Sequence, residues 1–346
     1  MNNENKKEKK RRVKPFLKIL IVIDVLAAIC FFLFYGPFTS VRDFLITTAM
    51  TTKSHKYLAR IFYSETLITE VLNSNYVSTF NEDTDASKVT VGEFSTNYSS
   101  AYEKQILERE KDQVYKLIEF KYNGYDVYLT AIYDPSRVKV GTSKYLGYSG
   151  QYLVDIANNY NAKVAINAGG FSDPGGYGNG GIPQGTVISD GKIVWDSGAA
   201  VGGIAGFNED DVLVLMNGTT QDAINQGIRD AVQFGPFLIV NGKSAQISGN
   251  GGWGINPRTV LAQRQDGIVL FLVVDGNGQN KYNWSGRGGV DMNGLIEILE
   301  RYNAYNAVNM DGGASTTLVI EGKLYNKPCG YSTTGERELP NGWIVV

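Results

Sequence analysis

NAVNMDGGASTTLVIEGKL, residues 306–324, sets a strand, a glycine turn and a second strand in immediate succession. Residues 307–310 are strand-like and run into Asp311, Gly312, Gly313, Ala314 and Ser315, after which 316–320 read as the next strand. Glycine at such a junction permits φ > 0 and lets a ligand approach the backbone. The arrangement recurs: 164–167 run into Ala168, Gly169, Gly170 and Phe171, and 268–274 run into Asp275 and Gly276. Each junction puts a polar side chain, Asn167, Asp275 or Asp311, where a buried strand meets a turn. Further strands are expected at 186–189, 192–195, 212–216, 237–240 and 259–263. Residues 114–121 and 125–133 flank Asn123-Gly124, a strong hairpin signal. Helical spacing is confined to 152–160 and 295–302 in this half of the chain. Many strands and two helices predict an α+β domain with a mixed, largely antiparallel sheet.

The N-terminal part reads differently. FLKILIVIDVLAAICFFLFY, residues 16–35, forms an apolar run which as a helix spans about 30 Å, one hydrocarbon core. Residues 1–15 carry seven Lys or Arg against two Glu, which predicts a cytoplasmic N-terminus and an extracytoplasmic remainder. The run is longer than a signal-peptide core and has no clear A-x-A site, so a retained anchor is expected. Asp24 inside it marks a helix contact or a protonated, tolerated carboxyl. Between 41 and 73, apolar residues at three- and four-residue spacing predict two or three short helices, with Ser64 as a cap. The segment 78–100 is polar and reads as a linker, and 103–112 as a short exposed helix. The organisation is thus a basic tail at 1–15, a transmembrane helix at 16–35, a helical segment and linker at 36–113, and a glycine-rich domain at 114–346 whose motifs fill 161–346.

Composition removes several function classes. The chain has 346 residues, 43% hydrophobic and 20% charged, so wholesale disorder is excluded. Beyond the tail the net charge is −7, which argues against a nucleic-acid partner. Cys30 and Cys329 form no CxxC pair, which disfavours a thiolate zinc site. The single histidine, His55, lies outside the glycine-rich region and reads as a surface or helix-packing residue, leaving carboxylates, hydroxyls, Arg and Lys for chemistry. GGYGNGG at 175–181 and GNGGWG at 249–254 lack the strand, GxGxxG and helix context of a nucleotide loop. They suit loops flanking a carbohydrate or phosphate cleft, with Tyr177 and Trp253 as stacking platforms.

Six stretches, AINAGGF (165–171), GTVISDGKIV (185–194), FGPFLIVNGK (234–243), PRTVLAQRQDG (257–267), LFLVVDG (270–276) and the opening one at 306–324, resemble, in order, the phosphodiester glycosidase family. One departure is Ala314, where the family usually has a third glycine. The resemblance implies hydrolysis of a sugar-1-phosphodiester at the anomeric carbon, releasing the sugar and leaving a phosphomonoester. Such a reaction needs a carboxylate to activate water or attack carbon, and a cation or N–H cluster to hold phosphate. Asp275 and Asp311 are the candidate catalytic residues, from their places at strand ends. Arg258 is the candidate phosphate ligand, because a guanidinium can grip two oxygens at once, assisted by the backbone N–H groups of Gly312 and Gly313. Asn167, Gly170 and Ser315 complete the substrate-binding set, Thr259 packs, and Glu297 is an orienting residue or part of a solvated helix face.

No cofactor or metal is expected; a calcium ion between Asp173 and Asp291 is the one alternative and has no EF-hand spacing behind it. The expected function is that of a membrane-anchored extracytoplasmic hydrolase acting on a phosphate-containing cell-surface or exopolysaccharide glycan. The alternative is a non-catalytic polysaccharide-binding or assembly protein using the same cleft.

Overall fold

The computed structural model describes residues 15–51, 55–92, 95, 97–199, 201–278 and 288–346. Apart from Pro15, the basic tail lies outside the described residues. Helix α1 (Pro15–Tyr35) has no buried residue and is long and apolar enough to cross a membrane. Three short helices follow, α2 (Thr39–Thr51), α3 (Lys56–Phe62) and α4 (Glu65–Ser74). Ser64 caps α4 by accepting from the Leu67 N–H at 3.3 Å. The three close on a small core of Ile46, Ala49, Ala59, Tyr63, Ile68 and Val71.

The rest is α+β, and every strand pairing among the described residues is antiparallel. A seven-stranded sheet is its centre, flanked by two five-stranded sheets. Strands Tyr115–Tyr122 and Tyr125–Ile132 form the expected hairpin, closing at the Tyr122–Tyr125 pair with Asn123 and Gly124 at positive φ. The central strand Arg258–Arg264 is wholly buried and lies between Val269–Val274 and Ala304–Asn309. A strand buried on both faces places alternate residues in different cores. Val260, Ala262, Leu272 and Val274 pack with helix Met292–Arg301 through Leu295, Ile298 and Leu299, whereas Leu261, Phe271, Val273 and Val308 pack with residues of the flanking sheets.

Three features differ from the sequence reading. Residues 78–92 are fastened to the β structure: Thr84 N–H donates to Leu215 O, Asp85 N–H to Asn241 Oδ1 and Thr90 N–H to Gln265 O. The segment's polar side chains add to these backbone bonds, Thr84 Oγ1 accepting from the Leu215 N–H at 3.0 Å and Asp83 Oδ1 from the Asn217 N–H at 2.9 Å, which a linker reading overlooks. The helix expected at 103–112 instead runs Ala101–Leu107, because Ser100 caps it at the Glu103 N–H, and its Ile106 is fully buried. A further helix, Thr220–Asn225, starts at a capping box formed by Thr219 and Asp222.

Candidate active site

Register decides which side chains share a site. In the central pair Val260 stands opposite Asn309, and Met310 N–H donates to Thr259 O at 2.8 Å, so continuing the ladder brings Arg258 opposite Asp311. Arg258, Asn309 and Asp311 therefore share one face of the sheet. On the other side of the central strand Arg258 stands opposite Val274, so Asp275, one residue on, points to the opposite face.

Arg258, Asn309 and Asp311 line a cleft of about 1300 Å³. Gly170, Gly312, Gly313 and Ser315 line it too, as do Tyr177 and Trp253. Gly170 has no room for a side chain, since a Cβ there would stand 2.8 Å from the Phe234 ring. His55, read as an ordinary surface or packing residue, also faces the cleft.

Asp275 is not among the cleft-lining residues, contrary to its expected catalytic place. It is 2% exposed; its Oδ1 accepts from Asn326 Nδ2 at 2.8 Å and its Oδ2 from the Lys327 N–H at 3.0 Å. Burial pushes its carboxyl up, while hydrogen bonds from Asn326, Lys327 and Tyr128 oppose the shift. Its geometry is that of a buried carboxyl tying the 326–327 turn to the sheet.

Asn167 also sits behind the cleft wall. Its Nδ2 donates to Asp311 O at 2.5 Å, while its Oδ1 accepts from Thr259 Oγ1 at 2.6 Å and Thr317 N–H at 3.1 Å. With all these contacts made inside the protein, Asn167 positions the Asp311 turn rather than a sugar hydroxyl. Thr259 holds Asn167 as well as packing.

Arg258 is 4% exposed, and most of its fork is engaged. Nη2 donates to Trp253 O at 2.6 Å and Gly254 O at 2.7 Å, and Nε to Val290 O at 3.3 Å. The two-oxygen grip expected of it is thus directed at carbonyls of its own chain. Nη1 faces the turn, 3.6 Å from where a Cβ on Gly312 would stand. Burial pulls the guanidinium down to about 10 against the opposing fields of Asp291 and Asp311, so it remains charged at neutral pH.

The turn N–H groups are not turned to the cleft as expected. Gly313 donates to Pro257 O at 2.8 Å, tying the turn to the start of the central strand, and Gly312 donates to Asp311 Oδ1 at 3.1 Å within the turn. Gly313 takes φ +62°, a conformation glycine adopts without a Cβ penalty. The carboxylates considered for calcium are occupied otherwise: Asp173 pairs with Arg337 at 2.9 Å, and Asp291 caps helix Met292–Arg301 at the Gly294 N–H. Glu297, outside the cleft lining, accepts from Tyr122 Oη at 2.6 Å and pairs with Arg301.

Two cleft residues were missed by the sequence reading. Asn309 is 1% exposed; its Nδ2 donates to Gly235 O at 2.9 Å, and its Oδ1 finds no hydrogen-bond partner among the described residues. Glu336 is 5% exposed; Oε2 accepts from Thr334 Oγ1 at 3.0 Å, while Oε1 is buried without a partner among the described residues. Burial pushes the Glu336 carboxyl above the usual range, Asp155 adds to the shift, and hydrogen bonds from Thr334 and the Val154 backbone oppose it. A buried polar atom without a partner costs about 1–3 kcal/mol, so these two acceptors, closed to solvent behind the cleft lining, gain a partner if a ligand group displaces the side chains over them. Asn309 sits in the quoted NAVNMDGG run and was within reach of the same strand-end argument; Glu336 lies in a polar loop with no comparable signal.

The comparisons agree with this architecture. A family model described as phosphodiester glycosidase matches residues 160–346. The SPbeta prophage-derived uncharacterized protein YomE of Bacillus subtilis is 30% identical over a region covering 57% of this chain and 30% of its own length. N-acetylglucosamine-1-phosphodiester alpha-N-acetylglucosaminidase of Mus musculus is 24% identical over 42% of this chain and 30% of its own. The zebrafish enzyme of that name, solved as a catalytic domain auto-inhibited by its pro-peptide, has a similar fold, with a TM-score of 0.55 at 21% identity, covering 69% of this chain and 85% of that one. The chain spans roughly a third of the length of the curated relatives it matches. With the family model covering over half of its residues, the chain belongs to the phosphodiester glycosidase family.

Proposed function

We propose that the cleft hydrolyses a glycosyl-1-phosphodiester, with Asp311 and Glu336 as its two carboxyl groups and Arg258 as its buried cation. The observation that carries this reading is the shared face of Arg258 and Asp311 in a cleft that the buried Glu336 carboxyl also lines. The activity for which the mammalian relatives are named supports the reaction type.

Water oxygen bonds to the anomeric carbon as Asp311 takes its proton. The bond from that carbon to the phosphate ester oxygen breaks, and its electron pair stays with the phosphate, which departs as a phosphomonoester. Arg258 Nη1 stabilises the phosphate charge from a fixed position, where a preorganised cation in a low-dielectric wall is most effective. Glu336, held toward its protonated form by burial, donates to the departing oxygen. Asn309 Oδ1 accepts from a sugar hydroxyl, and Asn167 keeps Asp311 in register with Arg258.

In this reading residues 16–35 anchor the chain, 36–113 join the anchor to the catalytic domain of 114–346, and the basic tail keeps the N-terminus cytoplasmic. The catalytic domain is then extracytoplasmic and its substrate belongs to a cell-surface or exopolysaccharide glycan. The test is product analysis on a panel of sugar-1-phosphodiesters with wild type beside Asp311→Asn. Free sugar and phosphomonoester in equal amounts from wild type, with loss in Asp311→Asn, is expected. No release by wild type, or equal release by both, overturns the assignment, and glycan binding without turnover identifies a binding module instead.

A further inference from the structure

The cleft has two chemically different walls. One is polar, with Arg258, Asn309 and Asp311 on one face of the sheet and Glu336 elsewhere in the lining; the other comes from the N-terminal helices and presents Phe34, Phe44, Leu45, Leu58 and Phe62. Phe44, Leu58 and Phe62 keep 40%, 41% and 39% of their surface exposed although each lines a concave site. Apolar surface left in water is unfavourable in proportion to its area, so such a wall favours an apolar occupant.

The apolar wall continues into the membrane helix. Phe34 belongs to the last turn of α1, and its ring stacks on Phe62 of α3 at 4.7 Å between centroids. Tyr35 Oη donates to Phe62 O at 2.9 Å and Tyr63 Oη to Phe34 O at 3.3 Å, fixing the end of α1 against α3. The helices are also fixed to the polar wall. Strand Tyr76–Val77 pairs with Ile247–Ser248, Asn250 Nδ2 donates to Thr47 Oγ1 at 2.8 Å, and Asn250 N–H donates to Asn75 Oδ1 at 2.8 Å. A few residues on, Trp253 and Gly254 hold Arg258. One loop thus ties the apolar wall to the buried cation.

We propose that the substrate is a lipid: a glycosyl-1-phosphodiester whose second ester group is a long hydrocarbon chain. The sugar phosphate meets Arg258, Asp311 and Glu336, and the chain runs along Phe44, Leu58 and Phe62 toward Phe34 and the bilayer that α1 enters. Cleavage at the anomeric carbon frees the sugar and leaves the lipid phosphomonoester in the membrane, with water supplying the hydroxyl. This inference rests on the hydrolase reading for its head group, but its chain-length requirement is measured separately.

The test uses full-length protein in nanodiscs and one sugar-1-phosphate head group carried as methyl, dodecyl, isoprenoid and diacylglycerol esters. Binding is measured on Asp311→Asn protein and sugar release on wild type. Burying four or more methylenes predicts binding of the long-chain esters about 100-fold or more tighter than the methyl ester. Because the bilayer itself concentrates long chains, the deciding quantity is that ratio in Phe44→Gln and Leu58→Gln, two exposed positions where a polar side chain is tolerated. A fall of at least about tenfold in the ratio supports the proposal, and the better of the isoprenoid and diacylglycerol arms identifies the lipid class. An unchanged ratio in both variants overturns it. Chain-dependent binding with no sugar release from any ester refutes the hydrolase reading and leaves the lipid site standing.

Discussion

Replacing Arg258 by Lys separates a cation that merely meets substrate from one that also builds the cleft. Lys keeps the charge but has no planar fork. Arg258 reaches Trp253 O and Gly254 O through Nη2 and Val290 O through Nε, at 2.6, 2.7 and 3.3 Å, and a single ammonium cannot span all three. Losing two such hydrogen bonds from a charged donor, at about 1.5–3 kcal/mol each, costs roughly 3–6 kcal/mol before relaxation. Relaxation of the 253–254 loop recovers part of this, so about 3 kcal/mol is expected, a large fraction of a typical domain's stability. For a domain of about 230 residues that is roughly 6–12 °C in Tm. Thermal unfolding followed by near-ultraviolet circular dichroism reads the loss, and sugar release from a methyl phosphodiester reads the activity. The reasoning predicts that both fall together. A variant that melts within 2 °C of wild type, a window of about 1 kcal/mol or less, refutes the structural half of the argument. A destabilised variant with wild-type kcat/KM at a temperature where it is folded refutes the phosphate role.

Three other substitutions probe the site. Glu336→Gln is expected to lower kcat by about 10²–10⁴-fold and to abolish the alkaline limb of the pH profile, because the active form is the protonated acid. The same carboxyl links to stability: its folded-state pKa is raised, so its contribution is fully present below the ordinary glutamate value of 4.5 and is lost as pH rises through the folded value. Urea titrations of the Gln variant should therefore gain on wild type with rising pH, and a constant difference contradicts the shift. Asp275→Asn puts an amide donor against either Asn326 Nδ2 or the Lys327 N–H, and a loss of about 1–3 kcal/mol in urea midpoint experiments is expected with kcat near wild type. Loss of kcat without loss of stability would restore Asp275 to the chemistry. Gly312→Ala brings a Cβ to 2.8 Å from Pro257 O, so the turn must move. A displacement of Asp311 by about 1 Å from Arg258 lowers kcat/KM by about 10²-fold, and steady-state kinetics that match wild type would show the turn can shift harmlessly.

What the sequence disclosed follows from the range of the forces involved. The strand ends at 167 and 274 were legible, and the end expected at 310 falls at Asn309, because apolar runs and glycine turns are local signals. The hairpin at Asn123-Gly124 was legible for the same reason, and the helix Met292–Arg301 showed through its apolar spacing. The polar stretch 78–92 was misread because its partners, Leu215, Asn241 and Gln265, are more than a hundred residues away. Glu336 was invisible on similar grounds: its burial comes from a loop closed by the Gly330 N–H on Gly335 O and by the Gln151–Leu339 bridge, and nothing in GERELP announces that a carboxyl will lose its water.

The division between Asp275 and Asp311 is the sharpest case. Both end a buried strand, both precede glycine, and both strands flank Arg258–Arg264, so strand-end logic treats them alike. What separates them is parity. The pairing of Arg258 with Val274 leaves Asp275 one residue out of phase, whereas the pairing of Val260 with Asn309 leaves Asp311 in phase. Since a strand's side chains alternate faces, one residue of phase turns Asp275 to the other face of the sheet, where Asn326 and Lys327 seal it, while Asp311 keeps the face of Arg258. The apolar flanks do report this, because Val260, Leu272 and Val274 pack with the helix while Leu261 and Val273 pack with the flanking sheets. In a strand apolar on both faces, however, the two phases look the same in sequence. Register had to come from the hydrogen-bonded ladder, and with it came the assignment of Asp311 to the cleft and of Asp275 to its support.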